Sequence, residues 1–321
     1  LRIRHAARRR PAEPVRRARR IACVAHLAPV VEAAEHEHVR QQRDGRDFGI
    51  AAVARNPAML PLATSFGATE THQLCPDGPE LADQSFDVVV DTTGNPEGLA
   101  TAVRLARREV HLKSTHGQPA CGLTHLTELV VDELAIRRFP ATQPATDDDF
   151  WSYLPGDGKP RVAWLAEQAP PQWLEELADV QSGDAAALAE HYATMADGLP
   201  RADVAVVDSC SQVDAAIRPK SDSEQSLVRP RGVVFALANA DVAGSRLLEA
   251  VVGRGLRLTS SRCGDFRAAL DLLSSDNELC RIGERLVTHH FNANELPKAF
   301  EVAGSRACIK AVVSHSAGDP A

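Results

Sequence analysis

The stretch Phe86-Asp-Val-Val-Val-Asp-Thr-Thr-Gly-Asn-Pro-Glu-Gly-Leu99 decides the fold class of this chain. It has a short apolar core, Val88 to Val90, which ends in Asp91, two threonines and Gly94. An apolar run with a polar exit and a glycine turn, followed by a helical pattern, is typical of a parallel strand that meets a crossover helix. In open α/β sheets the carboxyl ends of such strands line the ligand crevice. We therefore expect an α/β fold with a ligand site at the end of this strand.

Strand and helix patterns alternate on both sides of this stretch. Residues 48–54 predict a buried strand, and the following Arg55-Asn56-Pro57 is a helix-start signal with proline at the first helical position. Residues 97–107 predict a helix, residues 110–114 a strand, and the alternation resumes at Ala202. The short connections favour a parallel sheet with helices on both faces.

Composition excludes several classes of protein. The 321 residues are 44% hydrophobic and 25% charged, with a net charge of −7, so nothing points to nucleic acid as a partner. No apolar run approaches the roughly 20 residues of a membrane-spanning helix. The seven cysteines are scattered and form no C-x-x-C, which indicates free thiols in a reducing compartment. We expect a soluble cytoplasmic protein that acts on a small molecule, with no nucleic-acid or membrane partner.

Two segments depart from the alternating pattern. Residues 1–46 hold twelve Arg and five acidic residues, which predicts an irregular Arg-rich leader. Residues 137–200 are punctuated by prolines and end in helical patterns, which predicts an insertion or linker subdomain. This insertion carries Trp151, Trp164 and Trp173, which could form a ligand-facing wall or stabilise the subdomain.

Motifs for other chemistries are weak or absent. His111, His116 and Cys121 follow one another at intervals of five residues, which matches no standard zinc arrangement. His289 and His290 are adjacent and would point to opposite faces of a strand. The chain has neither a phosphate-binding P-loop nor a G-x-S-x-G nucleophile elbow. No residue can be named as catalytic, and no metal ligand is expected.

Three stretches resemble the medium-chain, zinc-type alcohol dehydrogenases, including threonine dehydrogenase-like members. Residues 53–68 are similar to the second strand and helix of that family, and residues 86–95 to its fourth strand. The segments 286–291, 296–303 and 309–313 resemble its closing part. The resemblance implies a Rossmann-like dinucleotide-binding domain in two parts, 47–136 and 201–315, separated by the insertion and followed by a tail at 316–321. It also implies hydride transfer between NADP(H) or NAD(H) and an alcohol, aldehyde or ketone, in a homodimer.

The resemblance also implies a set of cofactor-binding residues. An acidic residue at the end of the second strand would favour NAD, whereas an Arg there can pair with the 2′-phosphate of NADP. The implied set is Arg55, Asn56, Thr92, Thr93, Gly94, Ser260, Ser261, Arg262 and Lys310.

The chain departs from this family at its amino-terminal side. The G-x-G-x-x-G turn is missing, and so are the catalytic domain with its zinc ligands and the four-cysteine zinc lobe, so no zinc is expected. Two hypotheses follow: an oxidoreductase, whose activity in this shortened form is an open question, or a non-catalytic nucleotide-binding or protein-assembly module on a degenerate Rossmann fold.

Overall fold

The computed structural model describes most of the chain, namely residues 19–24, 48–75, 81–113, 117–145, 150, 159–195, 201–220, 225–262, 266–275, 281–305 and 308–315. Everything below concerns these residues. His116 and Trp151, which the sequence singles out, lie outside them.

The first half of the fold alternates strands and short helices. Its elements are β1 (Arg19–Val24), β2 (Phe48–Ala54), α1 (Leu60–Ser65), β3 (Glu70–Gln73), β4 (Phe86–Asp91), α2 (Pro96–Leu105) and β5 (Ala106–Leu112). Helix α2 begins one residue before the predicted start, because the Asn95 side chain accepts a hydrogen bond from the Gly98 N–H at 2.8 Å and Pro96 occupies the first helical position.

The second half follows the same alternation. Its elements are α3 (Leu126–Val131), β6 (Ala135–Arg138), β7 (Arg161–Trp164), α4 (Gln172–Leu177), β8 (Asp179–Ser182), α5 (Ala185–Ala193), β9 (Ala202–Ser209), α6 (Cys210–Ile217), β10 (Val228–Asp241) and α7 (Arg246–Arg254). Strand β11 (Arg257–Ser260) then returns the chain to the first half.

The closing part of the chain forms a small separate sheet. The elements of this closing part are α8 (Phe266–Ser275), α9 (Ile282–Leu286), β12 (Val287–Asn292), α10 (Leu296–Ala303) and β13 (Lys310–Ser314). Strands β12 and β13 pair in parallel with each other. The guanidinium of Arg285 on α9 lies 4.0 Å over the ring of Phe66, which holds this part against the first half.

Eleven of the described strands form one mostly parallel sheet in the order β3-β2-β1-β4-β5-β11-β6-β10-β9-β7-β8. The first six follow the order 3-2-1-4-5-6 of a doubly wound dinucleotide fold, with β11 in the sixth place. Strand β11 is parallel to β5 and antiparallel to β6, while β6, β10, β9, β7 and β8 are parallel to one another. The strands of the first half therefore end at one edge of the sheet, and those of the second half end at the opposite edge.

Apolar side chains cover both faces of this sheet. On β10, Val234 and Ala236 belong to the large core beneath the helices, whereas Val233 and Phe235 point to a second core on the other face. The second core contains Phe139, Phe150 and Trp164. The α/β class with helices against a mostly parallel sheet is thus confirmed, and residues buried on both faces explain why the strands appear as continuous apolar runs.

Several predicted elements need correction. The leader predicted as irregular contains β1, whose Ala22 is fully buried between β2 and β4. The segment predicted as an insertion contributes β7 and β8 to the same sheet, and β8 interrupts a region predicted as helical. The helix predicted over 97–107 ends at Leu105, because β5 already begins at Ala106. Short strands flanked by prolines leave little periodicity from which they could be recognised.

Candidate functional site

The carboxyl edge of the first half collects most of the predicted cofactor residues. Because β2, β4, β5 and β11 run in one direction, the segments that follow them meet at this edge. Those segments contain Arg55 and Asn56, Thr92 to Gly94, and Ser261 with Arg262, while Ser260 is the last residue of β11. Lys310 lies elsewhere, at the start of β13 in the small sheet, and is exposed.

The turn after β4 is held by its own hydrogen bonds. The buried Asp91 carboxylate accepts bonds from the Thr93 backbone N–H at 2.9 Å and from the Thr93 hydroxyl at 2.8 Å. Gly94 has a φ of 61°, which favours glycine. A Cβ on Gly98 would lie 1.7 Å from the Thr93 hydroxyl oxygen, so only glycine lets α2 approach this turn. The Thr93 hydroxyl is consequently engaged within the turn.

Arg55 directly follows β2 at the carboxyl edge and faces the first turn of α2. Its guanidinium forms an ion pair with Glu97 in the first turn of that helix, and the two side chains are 66% and 76% exposed. An exposed ion pair of this kind contributes at most about 1 kcal/mol. Arg55 is therefore available to a more highly charged anion at the same place.

Four polar side chains form a hydrogen-bonded relay across β5 and β11. The Ser261 hydroxyl lies 2.8 Å from His111 Nε2, and His111 Nδ1 lies 2.9 Å from the Thr259 hydroxyl. The Thr259 hydroxyl in turn donates to the Glu109 carboxylate at 2.8 Å. We call Ser261, His111, Thr259 and Glu109 the seam relay; it ends at the carboxyl edge, and all four residues are half-buried.

Ser260 and Arg262, on either side of Ser261, have other partners. The Ser260 hydroxyl donates to the carbonyls of Leu134 at 2.8 Å and Leu129 at 3.3 Å, on the opposite face of the sheet from the seam relay. The backbone N–H of Arg262 donates to Glu133 at 3.0 Å, and its side chain is exposed. Ser260 thus anchors the chain between α3 and β6.

In the sequence, His111 stands out only as a member of a possible zinc set, and neither Glu109 nor Thr259 stands out. The two-residue spacing of Glu109 and His111 on β5, and of Thr259 and Ser261, places each pair on one face. The pairing that joins them spans 148 residues of sequence between His111 and Thr259, which no local pattern reveals. Among the described residues, no group of three or more His, Cys, Asp or Glu side chains could hold a metal ion.

A surface cleft of about 580 Å³ lies between α2 and α7, away from this edge. Two of its arginines already have partners. Arg104 donates to the Leu81 carbonyl at 2.6 Å and to Asp83 at 2.9 Å, and Arg254 donates to the carbonyls of Val103 and Ala106. The cleft is therefore built around helix-end interactions and adds nothing to the candidate site.

The partly buried thiols of Cys121 and Cys210 lie where the loop before α3 meets the second half. The Cys210 thiol donates to the Gly122 carbonyl at 2.7 Å, and burial raises its pKa. Burial likewise raises the pKa of Cys121 to about 11. The thiolate is the reactive form of cysteine, whose ordinary pKa is about 8.5.

We expect the alkylation of cysteines to follow these environments. At pH 8, iodoacetamide should modify exposed Cys75 at least about tenfold faster than Cys121, whose thiol stays protonated, and faster than Cys210, whose pKa burial also raises. Raising the pH to 10 should bring the alkylation rate of Cys121 closer to that of Cys75. Peptide mass spectrometry over a time course measures the rates, and urea-unfolded protein, in which all three should react alike, is the control. Equal rates in the folded protein at pH 8 would contradict the described burial.

The fold has distant neighbours among solved structures. The alcohol dehydrogenase TADH from Thermus sp. ATN1 is 14% identical over 93% of this chain and 51% of that chain, with a TM-score of 0.38. The present chain thus spans about half the length of that dehydrogenase. No protein-family profile and no curated protein sequence matches.

None of the helices in the described part of the chain combines the length and apolar character needed to cross a membrane.

Proposed function

We propose that this chain is an oxidoreductase of the alcohol dehydrogenase type that binds NADP(H) at the carboxyl edge of its first half. The strand order β3-β2-β1-β4-β5-β11 is the observation that carries the proposal. In sheets of this order, dinucleotides bind where the direction of winding reverses, which here is between β1 and β4. The assignment of function is an analogy at the level of the fold. The substrate class is an alcohol, aldehyde or ketone.

Arg55 supports NADP(H) over NAD(H). It follows β2, beside the place that the adenosine ribose takes in such folds, and no acidic residue occupies the end of that strand. A guanidinium binds phosphate through two parallel hydrogen bonds. The 2′-phosphate carries more charge than the Glu97 carboxylate, so we expect it to displace the exposed Arg55–Glu97 pair.

The segment after β1, which would face the pyrophosphate, fits such a cofactor less well. The first glycine after β1 is Gly45, so the glycine-rich turn that brings backbone N–H groups to a pyrophosphate is missing. Arg55 thus fits the adenosine 2′-phosphate, whereas the segment after β1 departs from the usual cradle. We therefore propose binding mainly through the adenosine end; bound NADPH would supply a hydride to an aldehyde or ketone, and bound NADP⁺ would accept one from an alcohol.

Fluorescence titration with NADPH and NADH tests this proposal. We expect tighter binding of NADPH, and about a tenfold rise in its Kd in Arg55→Ala, because one charge-assisted phosphate contact contributes about 1.5 kcal/mol. The Kd for NADH should stay unchanged. Glu97→Ala is the matched control, since it removes the competing carboxylate and should tighten NADPH binding a few-fold.

The missing glycine turn favours a second function, a non-catalytic nucleotide-binding or assembly module. The same titration separates the two hypotheses. NADPH binding together with turnover of an alcohol or aldehyde supports the oxidoreductase, whereas binding without turnover supports the module. Failure to bind either nucleotide at millimolar concentration would overturn the NADP(H) proposal.

A further inference from the structure

We propose that Ser261 is an activated nucleophile for acyl transfer from small carboxylic esters, with His111 as its general base. This inference does not require NADP(H) binding, although Ser261 lies at the same edge of the sheet. It rests on the seam relay, in which a serine, a histidine and a carboxylate are connected through a threonine hydroxyl. A nucleophile within hydrogen-bond reach of a base, which is itself oriented by a third group, is the geometric signature of nucleophilic catalysis. Such sites are recognised by geometry and not by sequence position.

The hydrogen-bond partners determine which nitrogen of His111 carries the proton. An ionised carboxylate only accepts hydrogen bonds, so the Thr259 hydroxyl proton points to Glu109. The Thr259 oxygen can then accept from His111 Nδ1 at 2.9 Å, and we assign the imidazole proton to that nitrogen. His111 Nε2 is left as an acceptor for the Ser261 hydroxyl at 2.8 Å. This is the tautomer that a general base for Ser261 requires.

Position also singles out Ser261 from its neighbour. Ser261 follows the last residue of β11 at the carboxyl edge and is half-buried, whereas a fully buried serine could not meet a substrate. The Ser260 hydroxyl lies on the other face and is held by two backbone carbonyls. Ser260 and Ser261 are therefore a matched pair of adjacent serines, and among the described residues it is Ser261 that contacts a histidine.

The proposed reaction balances without a co-reactant other than water. The Ser261 oxygen attacks the ester carbonyl carbon as its proton passes to His111 Nε2, and the carbonyl electron pair moves to oxygen. The tetrahedral intermediate collapses, the bond from carbon to the alkoxy oxygen breaks, and the departing alcohol takes the proton from Nε2. Water then attacks the acyl-serine with His111 again as base, which releases the acid and restores the hydroxyl.

A fluorophosphonate probe tests the nucleophile directly, since Ser261 would form a bond to phosphorus and expel fluoride. We expect the intact protein to be labelled at Ser261 and not at Ser260, as located by peptide mass spectrometry. Ser261→Ala should abolish the label, and His111→Gln should slow labelling at least about 100-fold, the usual contribution of a general base. Release of p-nitrophenol from p-nitrophenyl acetate should follow the same order.

Thr259 is a positioning residue, and two variants test its role separately from folding. Thr259→Ser keeps the hydroxyl and should retain labelling within about twofold, whereas Thr259→Val should slow it about tenfold, the value of one orienting hydrogen bond. Melting curves of both variants show whether the fold persists. Labelling of Ser260 and Ser261 at equal rates, or labelling of Ser261 that His111→Gln leaves unchanged in a folded protein, would overturn the proposal whether or not NADPH binds.

Discussion

Gly122→Ala is expected to lower the free energy of unfolding by about 4 kcal/mol. Gly122 has a φ of +90°, and a Cβ at this position would lie 2.4 Å from both the Cα and the Cβ of Ser245. The Gly122 carbonyl accepts a hydrogen bond from the Cys210 thiol, and the Cys121 carbonyl accepts one from the Ser245 hydroxyl at 2.9 Å. The substitution therefore adds backbone strain and separates the loop before α3 from α6 and α7.

Gly244→Ala provides the matched control for this substitution. Gly244 has a comparable φ of +77°, but a Cβ there would meet no atom within 4 Å. The Gly244→Ala variant should lose only about 1 kcal/mol of its free energy of unfolding, which is the cost of a left-handed conformation for alanine. Urea unfolding followed by circular dichroism measures both variants. Similar losses for the two would show that the contact between Gly122 and Ser245 is looser than described.

Trp164→Ala is expected to lower the free energy of unfolding by about 4 kcal/mol, in the range observed when a buried aromatic residue is truncated. Trp164 is 1% exposed at the end of β7 and packs edge-to-face against Phe139, with ring centres 5.7 Å apart. Its indole N–H donates to the Gln168 carbonyl at 2.6 Å. Truncation would leave a cavity in the second core and an unpaired carbonyl acceptor.

Two further variants divide this loss into its parts. Trp164→Phe keeps the aromatic contact but not the indole donor and should cost about 1–2 kcal/mol. Trp173→Ala, which removes the half-buried partner stacked on Phe139 at 5.8 Å, should cost less than Trp164→Ala. Of the two interpretations of the tryptophans, the burial of Trp164 supports stabilisation. Unfolding of Trp164→Ala at an unchanged denaturant midpoint would contradict it.

Local sequence was sufficient for several elements near the site. Strand β2 occupies the predicted residues 48–54, and α2 begins one residue before its predicted start, because each depends on residues within a few positions. Strand β1 was missed, since its six residues begin with two arginines and stand in an Arg-rich segment. Strands β6, β7 and β8 have four residues each, too few to show a period.

The sequence by itself determined the α/β class, the glycine turn after β4 and the place of Arg55 at a strand end, since these follow from neighbouring residues. Only the tertiary structure decided that the segment between the two predicted parts joins the same sheet, and that β11 lies beside β5. That pairing brings Thr259 and Ser261 to His111 across about 150 residues of chain. The physical reason is that strand order arises from burying apolar faces of distant segments against each other, and no local propensity specifies which segments meet.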